Sequence, residues 1–432
     1  MRGRNVKKVT PPDKIQEIHD HINSFSTIDS HYCRSSTNRQ YLESTLNLSR
    51  MYDLYKEKYD NPLPIHTYRH IFNSEFNISF YKPKKDRCDK CEEFKAKKDV
   101  ATDEEKFEQE EHLRRKEAGY IERNKDRELK KIVEDGEQTA VITFDLQNVY
   151  TLPKIGVKNF YYKCKLNVYN LTAHCNINNR VYNCIWHECN GGRTGNDLAS
   201  ALVKILGGIA DDNPFLTKII LWSDSCVPQN KNSYMTMALK YYLDSPMCNS
   251  IRIIEHKYGE PGHGNVQKID VAHSIIEKFL RNVEIASPVG LIRLLLKLPQ
   301  KKYKFKIIQM QPNDFHDFGH TASNFVFTQV PFTKIKHIIY RKNEIMNIIN
   351  RQSFEEDFMT VPIHRRIVGK NRKKQSEVPL VLPKLPPIKR DIALPELKIK
   401  HLNEMLKYLP DQTDRTFYQS ILKNVSSKKK NK

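Results

Sequence analysis

The chain has no stretch of the roughly 20 apolar residues that a bilayer-spanning helix needs. Its opening, Met1 to Lys8, is basic, but no apolar run follows it, so no secretory leader is expected. It shows no internal repeat and no heptad seam that would demand a coiled coil. It also lacks an ordered cysteine framework. The nine cysteines are odd in number and scattered. Most lie in apolar, strand-like segments (Cys164, Cys175, Cys184), where a reduced thiol packs like a small hydrophobe. That usage points to a reducing compartment, cytosol or nucleus.

The most telling shortage is of acid. Against 72 Lys and Arg stand 51 Asp and Glu, a formal net charge of +21. Like charges repel and do not help folding, so a surplus of this size calls for a polyanion. DNA is the expected partner, with RNA as the alternative; an acidic protein or an anionic surface would also match the charge. No membrane association is expected. The basic runs Arg372–Lys374 and Lys428–Lys430 suit nuclear import or phosphate contact, which favours a nuclear location.

With 432 residues there is room for two or three domains. Residues 1–10 form a basic tail. Residues 11–95 hold two helical patterns, Leu48–Tyr59 and Ile65–Phe76, broken at Asp60-Asn61-Pro62. They predict a helical hairpin or a DNA-binding helix-turn-helix. Residues 96–135 are dense in charge, and Thr102–Val133 predicts one long solvated arm. Residues 136–332 carry the strands. From about Pro331 the strand pattern fades, and residues 333–432 predict a basic, Pro-rich, partly disordered extension with a short helix at Ile399–Tyr408.

In the strand-rich part, Thr139–Gln147, Asn159–Cys175 and Val181–His187 predict three sequential strands. Helices are expected at Asn196–Leu206, Asn232–Leu243 and Val266–Arg281, with strands at Lys218–Asp224 and Ile251–Tyr258 between them. The order β-β-β-α-β-α-β-α predicts an α/β fold, a mixed sheet with helices on its faces. It is the element order of the ribonuclease H fold.

Two of these strands end on acids, Asp145 and Asp224. If the strands are neighbours, both carboxylates meet at the sheet's C-terminal end, where open α/β sheets form ligand sites. Two carboxylates there repel unless a cation lies between them, and Mg²⁺ (or Mn²⁺) is the natural one. The last helix offers Asp270, His273 and Glu277, whose offsets of three and seven put them on one face. Asp270 is the first choice for a third catalytic acid and Glu277 the second. Asp197 opens the first helix of this region, either as an accessory metal-facing acid or as a helix-terminal residue favoured by the dipole. Gln229, Asn230, Lys231 and Asn232 follow Asp224 and are candidates for holding a nucleic-acid backbone, with Lys231 as a point charge, or simply form a polar helix N-terminus. His263 and His273 are possible accessory residues; His263 would position a phosphate or a water, or simply belong to its turn.

The strings FDLQ (144–147), WHECNGGRTGND (186–197), WSDSCVPQNKNS (222–233) and EPGHGNVQKIDVAHSIIEK (260–278) resemble a family of transposon-derived proteins of unassigned function. The resemblance runs from about His31 to Thr333. It implies a DDE-type core with Asp145, Asp224 and a helix acid as metal triad, strand cleavage or transfer on DNA, and, as is common among transposases, a homo-oligomer. Cys88-x-x-Cys91 is the only CxxC and can offer two thiolates to Zn²⁺. The resemblance implies His112 as a partner, with His31 or Cys33 to complete the set. Another arrangement adds His66 and His70, similar to the His-His-Cys-Cys domain of retroviral integrases. Set against an active transposase or nuclease are a domesticated, catalytically silent DNA-binding protein and a protein-interaction scaffold.

Overall fold

The β-rich run that begins near Gln138 becomes the centre of a large sheet in the computed structural model of the protein. The structure describes residues 10–25, 28–29, 40–42, 46–80, 88–129, 137–157, 160, 163–245, 248, 250–263, 267–365, 385, 387–388 and 394–429. The chain divides into two compact units, Met1–Arg87 and Cys88–Lys432.

The first unit holds α1 (Pro12–Asn23), β1 (Ile28–Asp29), β2 (Gln40–Leu42), α2 (Leu48–Lys58), α3 (Ile65–Glu75) and β3 (Ile78–Phe80). The two expected helices are present, and the Asn47 side chain caps α2 by accepting the Arg50 N–H. The turn between them needs Asn61 at φ +53°, a conformation asparagine tolerates. Helix α1 was not anticipated. Its Ile18 and Ile22 are buried with Met51, Tyr55, Tyr68, Ile71 and Phe72. His21 Nδ1 lies 2.8 Å from the Tyr68 hydroxyl, and burial pulls this imidazole down to about 4.

The second unit opens with α4 (Asp89–Lys97) and α5 (Asp103–Glu128). Then come β4 (Gln138–Leu146), β5 (Tyr150–Leu152), β6 (Leu166–Cys175), β7 (Arg180–His187), α6 (Gly195–Asp212), β8 (Leu216–Ser223), α7 (Ser233–Asp244), β9 (Ile253–Tyr258) and α8 (Gln267–Leu280). The expected element order is therefore present, with the short β5 added as a strand paired to β6. The second strand starts at Leu166, later than Asn159, a residue outside the described ones.

Beyond α8 the chain keeps building: α9 (Pro288–Leu295), β10 (Lys304–Gln309), α10 (Phe318–Ser323), β11 (Phe325–Val326), β12 (His337–Arg341), β13 (Asn347–Arg351), β14 (Met359–Pro362), β15 (His364–Arg365), α11 (Glu396–Met405) and α12 (Gln412–Lys429). The sheet order is β10-β7-β6-β4-β8-β9-β12-β13-β14, so with β5 it has 10 strands and is mixed. This corrects the expectation that strands end near Pro331. The later strands β12, β13 and β14 are only four or five residues long, too short for a clear periodic signal, and gain their places by antiparallel pairing onward from β9, while the two-residue β15 pairs with β11. Pro379, Pro383 and Pro386 lie outside the described residues. The C-terminal stretch also holds α12, where a basic tail was expected; Tyr418, Ile421 and Leu422 bury against Phe160 and Leu166.

Strand alternation assigns the two faces. Ala140, Ile142 and Phe144 of β4 pack with α6 and α7 in the main core. Residues of opposite parity meet other helices. Val168 and Ile185 pack with α8 and α9, while Val141, Ile220 and Trp222 form a small cluster with Phe354. Helix α5 covers that side. It is not solvated throughout, as its charge density had suggested. Arg123 and Asp126 are buried: the Arg123 guanidinium donates to Thr143 Oγ1 and lies 4.9 Å from the Trp222 ring centre. Asp126 accepts the Trp222 indole N–H at 2.7 Å and pairs with Lys257 at 3.0 Å. Lys257 also pairs with Glu122 at 2.7 Å. Charges read locally as solvent-facing are instead mutually neutralised inside. Among the described residues no helix is long and apolar enough to cross a membrane.

Candidate functional site

β4 and β8 are parallel neighbours, with Thr143 opposite Trp222. Asp145 and Asp224 each stand two residues further on, so both fall at the same end of the sheet and, by alternation, on the face shared by α5 and α8. Asp270 lies in the first turn of α8, which packs against β4 and β6. Burial first, then the charge of Asp224 with a further push from Asp270, raises the Asp145 carboxyl to about 7. The Leu146 N–H, donating to Asp145 Oδ1 at 2.8 Å, opposes this only in part. Asp270 and Glu277 are both exposed, but the charge of Glu277 is felt at the Tyr150 phenol instead. Between the two helix acids, then, Asp270 is the one that acts on Asp145. His273 is half-buried on the same helix; burial lowers it to about 4, and its Nε2 has no hydrogen-bond partner among the described residues.

The loop after Asp224 corrects an expectation. Asn230 is buried and its amide donates to Asp224 Oδ1, so it orients the acid. Lys231 is only 1% exposed, and its Nζ donates to the carbonyls of Thr333 and Ile335 at 3.3 and 3.0 Å. A charge so enclosed does not reach a phosphate; burial pulls it down to about 8. Asn232 caps α7 by accepting the Met235 N–H, and the Gln229 N–H bonds the Cys226 carbonyl. The side chains of Asn230 and Asn232 thus build the turn that presents Asp224. Of its two expected roles Asp197 takes the helix-terminal one. It is buried, and Oδ2 accepts the Thr194 N–H at 2.9 Å and the Thr194 hydroxyl at 2.7 Å, closing the cap of α6.

Beside Asp145 runs a buried polar ladder that sequence reasoning missed. Asn170 Nδ2 donates to Gln147 Oε1 at 2.9 Å and to Asn183 Oδ1 at 3.2 Å, and Tyr150 donates to Gln147 Oε1 at 2.7 Å. Thr172, opposite Asp145 in the register, belongs to the same face. The signal was available: Asn170, Thr172 and His174 are polar at a period of two inside an otherwise apolar strand. Gln147 Nε2 and Asn170 Oδ1 have no partner among the described residues.

A second constellation gathers elsewhere in this unit. Cys88 stands at the N-cap of α4 and Cys91 in its first turn, His112 is on α5, and His263 follows β9. Their donor atoms all lie within 4.8 Å of one another, and among the described residues no other group of three or more His, Cys, Asp or Glu is gathered so tightly. His263, expected beside the acids, is thus the fourth member of the cysteine set. His31 and Cys33 lie outside the described residues, and His66 and His70 are exposed on α3 of the first unit. No family model, no curated protein and no solved structure matches this chain.

Proposed function

We propose that the chain is a divalent-metal-dependent nucleic-acid enzyme of the DDE type on a ribonuclease-H-like core, akin to transposon-derived proteins. One observation carries the reading. Counting β4, β6, β7, β8 and β9 as strands one to five, their order in the sheet is 3-2-1-4-5. Asp145 lies at the C-terminal end of the first strand, Asp224 follows the fourth, and Asp270 lies in the first turn of the helix after the fifth. Burial first, then the charges of Asp224 and Asp270, raises Asp145, and a bound cation would offset both.

The donor set is all carboxylate, which suits Mg²⁺ or Mn²⁺. Such an ion would supply activation of a water or 3′-hydroxyl and stabilise charge on the phosphate. The chain's own part is to hold the acids. Asn230 fixes the Asp224 carboxylate, the Leu146 N–H fixes Asp145, and neutral His273 adds no competing positive charge. The net charge of +21 supports a DNA backbone as the ligand. That charge alone would equally suit a catalytically silent binding protein in the nucleus.

The test is a calorimetric titration of Mn²⁺ into the full chain beside Asp145→Asn and Asp224→Asn, with DNA and RNA strand cleavage followed on the same samples. Metal binding and cleavage in wild type, both lost in the variants, is the expected result. Salt-sensitive DNA binding without divalent-ion binding would overturn the enzyme and leave the binding protein.

A further inference from the structure

We propose that Cys88, Cys91, His112 and His263 hold one structural Zn²⁺ ion that ties α4 and α5 to the loop leading into α8. A tetrahedral zinc with sulfur at about 2.3 Å and nitrogen at about 2.0 Å needs donors roughly 3.3–3.8 Å apart. The observed separations are 3.3 Å for Cys88 Sγ to His112 Nε2, 3.4 Å for Cys91 Sγ to His263 Nε2, and 3.1 Å between the two Nε2 atoms. The set is complete, with two thiols and two imidazoles, which is the closed composition of a structural site.

The surroundings are built for it. His112 Nδ1 lies 3.3 Å from Glu260 Oε1, so the carboxylate takes the proton-bearing nitrogen and leaves the Nε2 lone pair for a metal. Glu260 is itself fixed by Lys336 at 2.6 Å and Arg115 at 3.5 Å. The Gln109 amide donates to Cys91 Sγ at 3.7 Å, a contact that favours thiolate. Gly262 has φ +78°, and a Cβ there would fall 2.8 Å from Cys88 Sγ and 2.9 Å from Cys88 Cβ. Only glycine lets the loop close over the cysteine, for space and for conformation alike.

The ion would cross-link residues 151 positions apart, a long loop whose closure removes much freedom from the unfolded chain. Asp270 lies seven residues beyond His263 in the chain; the catalytic reading gives that proximity its interest, while the zinc site does not rest on that reading.

The full chain, purified under reducing conditions without chelator, is expected to carry about one zinc by elemental analysis. Its cobalt-substituted form should show tetrahedral visible bands and a thiolate charge-transfer band. Cys88→Ser and His263→Ala should lose the metal. Glu260→Gln should keep the spectrum but bind zinc about 10- to 100-fold more weakly. Should His263→Ala fail to fold, His263→Cys decides: retained zinc with a stronger charge-transfer band supports the assignment. A wild-type chain with neither zinc nor the cobalt spectrum overturns the site, and full zinc in His263→Ala overturns His263 as a ligand. Asp145→Asn should keep its zinc, so failure of the acidic site and failure of the zinc site read out separately.

Discussion

The carboxylate end of the sheet and the cysteine-histidine cluster differ in what holds their donors together. At the cluster, thiols and imidazoles can approach to 3.1–3.4 Å without opposing charge, and a carboxylate behind His112 steadies the set. At the sheet end, acids share a region, and burial first, then repulsion from Asp224 and Asp270, raises the Asp145 carboxyl to about 7. The first is a site whose geometry exists before an ion arrives, while the second gains from an ion most where it is strained. Helix α5 joins the two stories, carrying His112 in its first half and Asp126 near its end.

The sharpest way to break this comparison is Asp224→Asn. It should lower divalent-ion-dependent cleavage by at least about a thousandfold while leaving zinc content unchanged, checked by single-turnover kinetics and elemental analysis. Next is Lys257→Ala, which removes the ion-pair partner of the buried Asp126 and leaves it the Trp222 N–H and the charge of Arg123. It should cost about 3–5 kcal/mol and roughly 6–10 °C in Tm by calorimetry. If zinc persists in that variant, the cluster holds its end of α5 independently of the sheet.

A smaller effect comes from pH. The folded pKa of Asp145, about 7, lies above the ordinary value, so without divalent ions the native state binds a proton that the unfolded chain releases. Its contribution is favourable below pH ~4 and is lost as pH rises through ~7. Asp145→Asn should therefore stabilise the metal-free protein by about 1–2 kcal/mol at pH 8, after allowance for partial solvent screening, and not at pH 4. Thermal melts in chelator at both pH values check this; equal effects at both would break the electrostatic account. The smallest effect is expected from Glu277→Gln, less than about threefold on cleavage, where Asp270→Asn should cost at least about a hundredfold. Comparable losses would return Glu277 to the site.

Much was legible because it was local. Strands ending on Asp145 and Asp224 announce themselves as apolar runs closed by an acid, and the faces of α8 follow from its period. The helix-terminal place of Asp197 was legible too, and Thr194 and Asp197 have capping-box spacing. Lys231 misled because a lysine after a catalytic acid suggests phosphate, and nothing local reveals the carbonyls of Thr333 and Ile335 that enclose it. The strands from His337 to Pro362 were missed for the same reason: short and weakly patterned, they exist through pairing with β9 and with each other.

Sequence by itself determined the alternation of strands and helices, the acids at their ends and the basic surplus, since each depends on neighbours along the chain. Tertiary structure alone decided that Asp145 is buried within reach of the charges of Asp224 and Asp270, that charges on α5 neutralise inside the fold, and that His263 joins cysteines at 88 and 91. The physical reason is separation. Most of these partners meet across 100 residues or more, and only the packing of helices on the sheet brings them within reach of one another.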